Sequence, residues 1–333
     1  PLVRKNGVLE EVEWEEAINY TAKRLNEIKE KYGPDSIMGT GSARGPGNEA
    51  NYIMQKFMRA TIGTNNVDHC ARVWHAPSVA GLAYSLGSGA MSNSIPEIED
   101  ADLLFIFGYN GADSHPIVAR RIVRAKEKGA TLITVDPRVT ETARISDMHL
   151  PIKGGTNMIL VNAFGNVLIN ENLYDEEFIK EHTDNFEEYK KIVEPYTPEY
   201  AAKYTNIPAD MIRKTMREYA KAKDAMILYG MGVCQFSQAV DVVKGLASLA
   251  LLTGNFGRPN VGIGPVRGQN NVQGACDMGA LPDCYPGYQK VTNPEIRAKF
   301  EKAWGVKLPS KVGLKLTEVP HAVLEEHKIK AYY

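Results

Sequence analysis

The sequence has 333 residues, of which 44% are hydrophobic and 24% charged, so it is typical of a globular protein and not of a disordered, collagen-like or disulfide-rich one. Lys and Arg number 39 against 40 Asp and Glu, and the formal charge of −1 excludes a global field that would hold a nucleic acid or an anionic membrane. No apolar stretch approaches the roughly 20 residues that span a bilayer, so no membrane segment is expected.

The cysteines and the two ends of the chain indicate its cellular location and its place in a larger protein. Four cysteines form no C-x-x-C pair, so neither a zinc ribbon nor a ferredoxin-type iron–sulfur motif is expected within this chain. The same cysteine usage predicts a reduced, cytoplasmic location. The sequence opens on Pro1 without Met and closes on Ile329–Tyr333, an apolar run typical of a strand. We therefore interpret the chain as part of a larger protein. This sequence does not test whether an export signal lies upstream of Pro1.

The first elements are a helix, a strand and a second helix. Apolar residues recur at helical spacing over Trp14–Lys31, which predicts an amphipathic helix. A short strand is predicted over Ser36–Gly39, and the Gly-rich turn Gly41–Gly47 leads into a helix from about Asn48 to Ala60. A strand, a Gly-rich turn and a helix start direct free backbone N–H groups at an anion.

The middle of the chain predicts a parallel sheet. Ala101–Gly108 and Thr131–Val135 are apolar runs of strand length on either side of a helical segment, Pro116–Lys128. This is a βαβ unit, whose right-handed crossover makes the strands parallel. A third buried strand is predicted over Ala225–Gly230, followed by a helix over about Ser237–Leu252.

Two further stretches have a distinct character. Lys153–Asn157 opens a helix that runs to about Ile169, and residues 172–222 are predicted to be short charged helices without a strand. Thr253–Gly287 has neither helical nor strand periodicity and contains eight glycines, so we expect an ordered, backbone-rich binding loop there.

The Gly-rich turns indicate a large ligand that carries phosphate. The chain has neither G-x-G-x-x-G after the first βαβ strand nor a P-loop motif, which argues against an ordinary NAD site and against P-loop NTPase chemistry. At least four turns remain that are suited to anions, and all are expected at the carboxyl edge of one sheet or its neighbour: residues 41–47, 108–113, 153–157 and 230–235.

Single residues are ambiguous on their own. Asp136 ends the second βαβ strand, where dinucleotide folds place a ribose-binding carboxylate, but taken alone the residue is better explained by an Asp-Pro turn. Cys70, Trp74 and His75 share one aperiodic link, and each has an ordinary structural interpretation. Arg267 has no acidic neighbour in sequence and needs an anion from elsewhere, either a ligand or a distant Glu.

Taken together, five segments resemble the molybdopterin-dependent formate dehydrogenases, specifically their large catalytic subunit. The segments are NNVDHCARVWHAPSVAGL, FGYNGADSHP, VDPR, GMGVCQF and VRGQNNVQGACDMGALPD, and the resemblance runs from about residue 10 to the end. It implies a bis(molybdopterin guanine dinucleotide) cofactor that holds Mo or W. It also implies that these residues touch the pterin dinucleotides: Arg44, Asn110, Asp113, Asp136, Arg138, Lys153, Gly155, Asn157, Met231, Gln235 and Gln269.

The resemblance also implies the catalytic residues. Trp74 occupies the position of the family's metal-ligating selenocysteine or cysteine, although an indole has no lone pair to offer a metal. UGA, the selenocysteine codon, is commonly rendered as Trp, so our hypothesis is that Trp74 stands in for selenocysteine. His75 matches the family's proton-accepting histidine, and Arg267 matches the arginine that binds the carboxylate of formate.

These assignments predict two-electron oxidation of formate to CO2, or the reverse, with electrons passing to a partner subunit or a ferredoxin-like carrier. One [4Fe–4S] cluster is expected upstream of Pro1 and a cap over the second dinucleotide after Tyr333, so the fragment alone is expected to be poorly active. The alternatives are another molybdopterin oxidoreductase, such as a nitrate reductase, and a redox-dead scaffold subunit in which Trp74 is genuine.

The expected fold is α/β, with two interleaved α/β units of the type found in domains 1–3 of formate dehydrogenase and DMSO reductase. Residues 1–70 with 270–333 are predicted to form a discontinuous unit that binds one pterin dinucleotide. Residues 76–269 are predicted to form a Rossmann-like parallel sheet that binds the other, and residues 71–75 are predicted to be the active-site link.

Overall fold

The computed structural model describes residues 1–45 and 47–333. They form two compact units, one from residues 1–73 with 269–333 and the other from residues 74–268. These bounds differ from the predicted domain boundaries by a few residues. Within the predicted link, residues 71–73 belong to the discontinuous unit and residues 74 and 75 to the continuous one.

The first segment begins with an antiparallel hairpin and continues as two helices and two strands. Its elements are β1 (Leu2–Lys5), β2 (Val8–Glu11), α1 (Trp14–Tyr32), β3 (Ile37–Gly41), α2 (Asn48–Lys56) and β4 (Val67–His69). The second predicted helix is α-helical only to Lys56 and continues as a π-helical turn over Phe57–Ile62.

Helix α1 forms where its periodicity predicts, but only its second half packs on the core. Leu25 is buried and Ile28 partly buried, and both contact the cluster around Ile37. Trp14 and Ile18, on the same predicted apolar stripe, are 70% and 60% exposed. The period therefore identifies the helix without identifying which of its turns are covered.

The continuous unit alternates helices with short buried strands. Its elements are α3 (Ala76–Leu86), β5 (Leu103–Phe107), α4 (Gly111–Ser114), α5 (Pro116–Glu127), β6 (Thr131–Val135), α6 (Glu141–Ile145), β7 (Met148–Leu150), α7 (Asn157–Asn170), α8 (Glu176–His182), α9 (Phe186–Val193), α10 (Pro198–Thr205), α11 (Ala209–Lys221), β8 (Ala225–Tyr229), α12 (Met231–Cys234), α13 (Ala239–Leu252) and β9 (Gly262–Pro265). The prediction of helices and no strand over residues 172–222 is confirmed.

A five-stranded parallel sheet forms the core of this unit, in the order β7-β6-β5-β8-β9. Every residue of β5 and β8 is buried, which explains their continuous apolar sequence, because helices cover both faces of a parallel sheet. The prediction that residues 253–287 have neither helix nor strand is wrong: they contain strand β9, a short helix over Val272–Asp277 and a short strand over Cys284–Tyr285. The β9 sequence GIGP has no strand signal, and pairing with β8 stabilises it.

The last segment returns to the discontinuous unit. Its elements are α14 (Val272–Asp277), β10 (Cys284–Tyr285), β11 (Gln289–Lys290), α15 (Pro294–Trp304), α16 (Val319–Leu324) and β12 (Ala331–Tyr332). The predicted terminal strand is confirmed: β12 pairs in parallel with β3, which gives a three-stranded sheet in the order β12-β3-β4. Among the described residues, no helix is both long and apolar enough to cross a bilayer.

A buried arginine joins the two halves of the discontinuous unit. Arg59 is fully buried, and its guanidinium uses all five of its N–H donors. Nearby in sequence it binds Gln55 Oε1 at 2.6 Å and Asn65 Oδ1 at 2.8 Å. Its other acceptors are the carbonyls of Gly279, Leu281 and Cys284, at 2.8, 2.6 and 2.9 Å.

Burial lowers the pKa of Arg59 to about 10, so the group stays charged at neutral pH. A buried guanidinium whose donors are all used holds its surroundings rigidly, because each acceptor would otherwise be buried without a partner.

We predict that Arg59→Met lowers the free energy of unfolding by about 3 kcal/mol or more, since the apolar side chain leaves buried acceptors unpaired. Urea titration of the variant and of the parent protein measures the difference. Arg24→Met is the matched control: Arg24 is exposed and pairs with the exposed Glu27, so a change within about 0.5 kcal/mol is expected. Equal effects of the two substitutions would contradict this account of Arg59.

Candidate functional site

The continuous unit contains a cleft at the carboxyl edge of its sheet. From β5 the chain builds the sheet outward through β6 and β7 on one side and through β8 and β9 on the other, so the strand order reverses between β5 and β8. Ligands of open parallel sheets bind at such a switch point. The cleft has a volume of about 430 Å³, and its walls follow the ends of β5, β6 and β8 and the loop after β7. We call it the switch-point cleft.

Three glycines let two turns of the cleft meet through their backbones. Gly230 N donates to the Phe107 carbonyl at 3.2 Å, and Gly232 N donates to the Gly108 carbonyl at 3.0 Å. A Cβ on Gly232 would lie 2.7 Å from Gly108 Cα, and one on Gly230 would lie 2.8 Å from the Gly108 carbonyl oxygen. Gly108 also has a φ of +57°. The predicted anion-binding turns at 108–113 and 230–235 are thus joined by backbone hydrogen bonds into one wall of the cleft.

The cleft presents buried polar atoms without protein partners. Asn110 donates from Nδ2 to Asp113 Oδ2 at 2.6 Å, whereas its Oδ1 is buried and has no hydrogen-bond partner among the described residues. The Tyr109 hydroxyl is also buried without a partner in the described part of the chain, and burial raises its pKa. Such groups are costly unless a ligand or water binds them, so both atoms are candidate ligand-binding positions.

Asp136 combines the two roles that the sequence left open. Its Oδ1 accepts a hydrogen bond from the backbone N–H of Arg138 at 2.8 Å, as expected for an Asp-Pro turn. The residue is only 6% exposed and, like the exposed Arg138, lines the switch-point cleft. The carboxylate therefore shapes the turn and also contributes to the cleft wall.

The remaining predicted residues of this unit lie on two turns. Asn157 begins α7, is buried, and donates from Nδ2 to the Gly232 carbonyl at 3.2 Å. Lys153 and Gly155 are exposed and flank the lining residue Gly154. Met231 lines the cleft, and Gln235 is exposed at the end of α12.

Trp74 and His75 precede helix α3. A Cβ on Gly268 would lie 3.1 Å from the Trp74 ring and 3.6 Å from Met231 Sδ, so the indole packs against a glycine of the loop after β9. His75 is buried, with Nδ1 2.9 Å from Ser78 Oγ, and the same hydroxyl is 3.1 Å from Cys234 Sγ.

Electrostatics set the protonation of this group of side chains. Burial lowers the pKa of His75 to about 4, the charge of Arg267 acts in the same direction, and the Val266 carbonyl opposes them. The imidazole is therefore neutral at pH 7. Burial raises the pKa of Cys234 to about 11, so its thiol is also neutral and not a thiolate.

Arg267 has no carboxylate partner among the residues that the structure describes. Its Nη2 donates to the Gly89 carbonyl at 2.6 Å, and it forms no ion pair with any residue that the structure describes. The side chain is partly buried, and its charge is felt by His75, Tyr229 and Cys234. The salt bridge to a distant Glu that the sequence left open does not form among the described residues, so the half-buried guanidinium is available to an anion.

Two predicted cofactor residues belong to the discontinuous unit. Arg44 is exposed, and its backbone N–H donates to Ser42 Oγ at 3.2 Å. Gln269 Oε1 accepts from Cys70 Sγ at 3.0 Å. The turn between β3 and α2 is shaped by Asn51, which accepts from Ser42 N at 3.0 Å and donates to its carbonyl at 2.7 Å.

Comparison with known proteins identifies the family. The sequence profile of the molybdopterin oxidoreductases matches residues 1–333. The chain belongs to the molybdopterin oxidoreductase family. This family binds a molybdopterin cofactor with Mo or W.

Several relatives of this molybdopterin oxidoreductase chain are formate dehydrogenases by name. Formate dehydrogenase H of Escherichia coli K12 is 60% identical over 335 residues, which cover 100% of this chain and 47% of the relative. The F420-dependent formate dehydrogenase 1 subunit alpha of Methanococcus maripaludis is 49% identical over 319 residues, which cover 96% of this chain and 46% of the relative. The chain spans about half the length of these curated relatives.

A solved structure supports the predicted α/β class with parallel sheets. Acetylene hydratase from Pelobacter acetylenicus aligns with a TM-score of 0.63 and 25% identity, over 74% of this chain and 33% of that protein.

The residues of the switch-point cleft fit the organic part of such a cofactor better than its metal. Unpartnered oxygens on Tyr109 and Asn110 and the close backbone turns suit a polar ligand that carries phosphate. Among the described residues, no group of three or more His, Cys, Asp or Glu side chains could hold a metal ion, and the indole of Trp74 offers no lone pair.

Sequence reasoning missed four residues of this unit. Tyr109 and His115 lie within the quoted segment FGYNGADSHP, and Cys234 lies within GMGVCQF, but none was assigned a role. Ser78 follows His75 by three residues, the spacing at which side chains on a helix start can meet. Only the fold shows that Cys234 joins them.

We predict that Gly232→Ala destabilises the protein by about 1–3 kcal/mol, because the new methyl group would overlap the backbone of Gly108. Urea unfolding followed by tryptophan fluorescence measures this loss. Gly154→Ala is the matched control, since Gly154 lines the same cleft with nothing within 4 Å of its Cβ position, and a change within about 0.5 kcal/mol is expected. Tolerance of both substitutions would mean that the two turns separate at little cost.

Proposed function

We propose that the chain is the central part of a formate dehydrogenase catalytic subunit, which converts formate to CO2 or the reverse at a Mo or W centre held by two molybdopterin guanine dinucleotides. The observation that carries the proposal is Arg267, a half-buried guanidinium without a carboxylate partner among the described residues, whose charge reaches the buried imidazole of His75. The names of the relatives direct the choice of anion to formate.

In this proposal Arg267 binds and orients the substrate carboxylate. Its anchor on the Gly89 carbonyl restricts the side chain, so less conformational entropy is lost when formate binds. A guanidinium forms two parallel hydrogen bonds with a carboxylate, which fixes the direction of the C–H bond. We therefore expect substrate affinity to depend strongly on Arg267.

His75 acts as the proton acceptor. Oxidation of formate releases CO2, one proton and two electrons, and the bound cofactor supplies the electron acceptor. Because the pKa of His75 is lowered to about 4, the ring is neutral at physiological pH and has a nitrogen free to take the proton, as a weak base that passes the proton on instead of holding it. Ser78 holds the ring through Nδ1.

Residue 74 is the position that the proposal assigns to the metal ligand. Tryptophan cannot serve there, and we propose that the native residue is selenocysteine, encoded by UGA and written as Trp. Trp74 packs against Gly268 beside Met231, in the same unit as His75 and Arg267.

We further propose that each compact unit binds one dinucleotide. Arg44 and Gln269 contribute from the discontinuous unit. The continuous unit contributes the residues in and around the switch-point cleft: Asn110, Asp113, Asp136, Arg138, Lys153, Gly155, Asn157, Met231 and Gln235. The orphan oxygen of Asn110 and the cleft-lining positions of Asp136 and Asn157 support this assignment.

The rest of the proposal concerns the whole protein. It includes one [4Fe–4S] cluster outside this chain, a partner subunit or ferredoxin-like carrier that accepts the electrons, and a cytoplasmic location. One alternative has a specific observation in its favour: a redox-dead scaffold of the same fold, which a genuine Trp74 would indicate.

We predict that Arg267→Ala lowers kcat/KM for formate by at least about 100-fold in the cofactor-loaded enzyme, because the carboxylate loses its positioning cation. Arg267→Lys keeps the charge but not the paired hydrogen bonds, so its kcat/KM is expected to lie between the values of the parent enzyme and of Arg267→Ala. Steady-state assays with formate and with nitrate measure the effect. Loss of nitrate turnover with formate turnover intact would favour a nitrate reductase and overturn the proposal.

We also predict that tandem mass spectrometry of the peptide that begins at Val73, from the protein purified from its own source, detects selenium at residue 74. Selenocysteine has a distinctive isotope pattern, so the spectrum distinguishes selenocysteine from tryptophan at residue 74. An indole mass at this position would leave the metal without a protein ligand and would favour the scaffold.

A further inference from the structure

His115 contacts the backbone of the proposed substrate-binding arginine. It lies at the start of α5, and its Nε2 is 2.5 Å from the carbonyl oxygen of Arg267, which is 152 residues away in sequence. A carbonyl oxygen only accepts hydrogen bonds, so Nε2 carries a proton and donates it. The contact fixes the main chain of residue 267.

The imidazole of His115 is itself held in place. Its Nδ1 lies 3.0 Å from Ser114 Oγ, and the single hydroxyl proton of Ser114 is donated either to Nδ1 or to the Asn110 carbonyl, 2.7 Å away. Its ring centroid is 5.5 Å from that of Tyr109. Tyr109, Asn110, Ser114 and His115 all line the switch-point cleft, so the same side chains meet the cleft and hold the ring.

Arg267 is therefore fixed at both ends. His115 holds its carbonyl, and the Gly89 carbonyl accepts from its Nη2 at 2.6 Å. Release of the backbone anchor would leave the guanidinium attached at one point, next to Gly268, whose lack of a side chain gives the loop little resistance to movement. A misplacement of about 1 Å is enough to impair a positioned group strongly.

We propose that His115 is a positioning residue for substrate binding, which holds the Arg267 backbone so that the guanidinium meets the carboxylate in the productive direction. This inference rests on the proposed function. It also connects the switch-point cleft to the substrate, because a ligand that orders Tyr109 and Asn110 stabilises the ring that holds Arg267.

The experiment compares His115→Phe and His115→Gln in the cofactor-loaded, full-length enzyme. Phe keeps the ring and its contact with Tyr109 but removes the N–H donor, whereas Gln keeps an N–H donor without the ring. Three quantities are measured. Steady-state assays with formate give KM and kcat, and equilibrium dialysis gives the Kd for radiolabelled formate. The dialysis uses enzyme reduced with dithionite, because the reduced enzyme cannot oxidise formate. Melting temperatures verify that each variant is folded.

We expect His115→Phe to raise KM and Kd for formate about tenfold, with a smaller change in kcat, and His115→Gln to restore most of the affinity. His182→Phe, which replaces an exposed histidine of the same unit, should leave all values unchanged. In an Arg267→Ala background, His115→Phe should have no further effect, because its action passes through Arg267.

Unchanged formate affinity in a folded His115→Phe variant would overturn the inference, as would an equal loss in the Arg267→Ala background. Equal losses in the Phe and Gln variants would also contradict it, since the donor would then be irrelevant. Failure of the proposed function looks different: Arg267→Ala itself would leave formate binding unaffected.

Discussion

The candidate site depends on the close approach of two turns, one after β5 and one after β8. Adjacent parallel strands lie about 4.8 Å apart, so turns that leave their ends side by side can hydrogen-bond through their backbones only where no side chain stands between them. Gly108, Gly230 and Gly232 meet this condition, and their hydrogen bonds join the turns into one wall. The other cleft residues are placed relative to this wall, since Asn157 binds the Gly232 carbonyl and Asn110 follows the first turn by two residues.

Much of the fold could be predicted because periodicity reports local structure. Strands β5, β6 and β8 were recognisable as short apolar runs, and helices α1, α5 and α7 by their spacing or their Gly-rich starts. Strand β9 was not, since two glycines and a proline among four residues hide a strand that depends on pairing with β8. The exposure of Trp14 shows the same limit, because a helical period does not report what packs on the helix.

The site was only partly predictable, for a similar reason. Its motif residues could be named from resemblance, but their partners come from distant segments: Cys234 reaches Ser78 across 156 residues, and His115 reaches Arg267 across 152. Such contacts leave no local pattern in one sequence. The ambiguity of Asp136 had a physical origin, because one carboxylate oxygen caps the turn while the residue also lines the cleft.

The five hydrogen bonds of Arg59 have a consequence for the order in which the chain folds during synthesis. Three of its acceptors lie 220 to 225 residues downstream, and β12, the partner of β3, is made later still. At about 5–20 residues per second, the ribosome needs on the order of ten to forty seconds to supply them. The continuous unit, residues 74–268, is complete before that moment, so it can fold while the nascent segment before it still holds an unsatisfied guanidinium. We expect a chaperone to bind the nascent chain mainly during that interval.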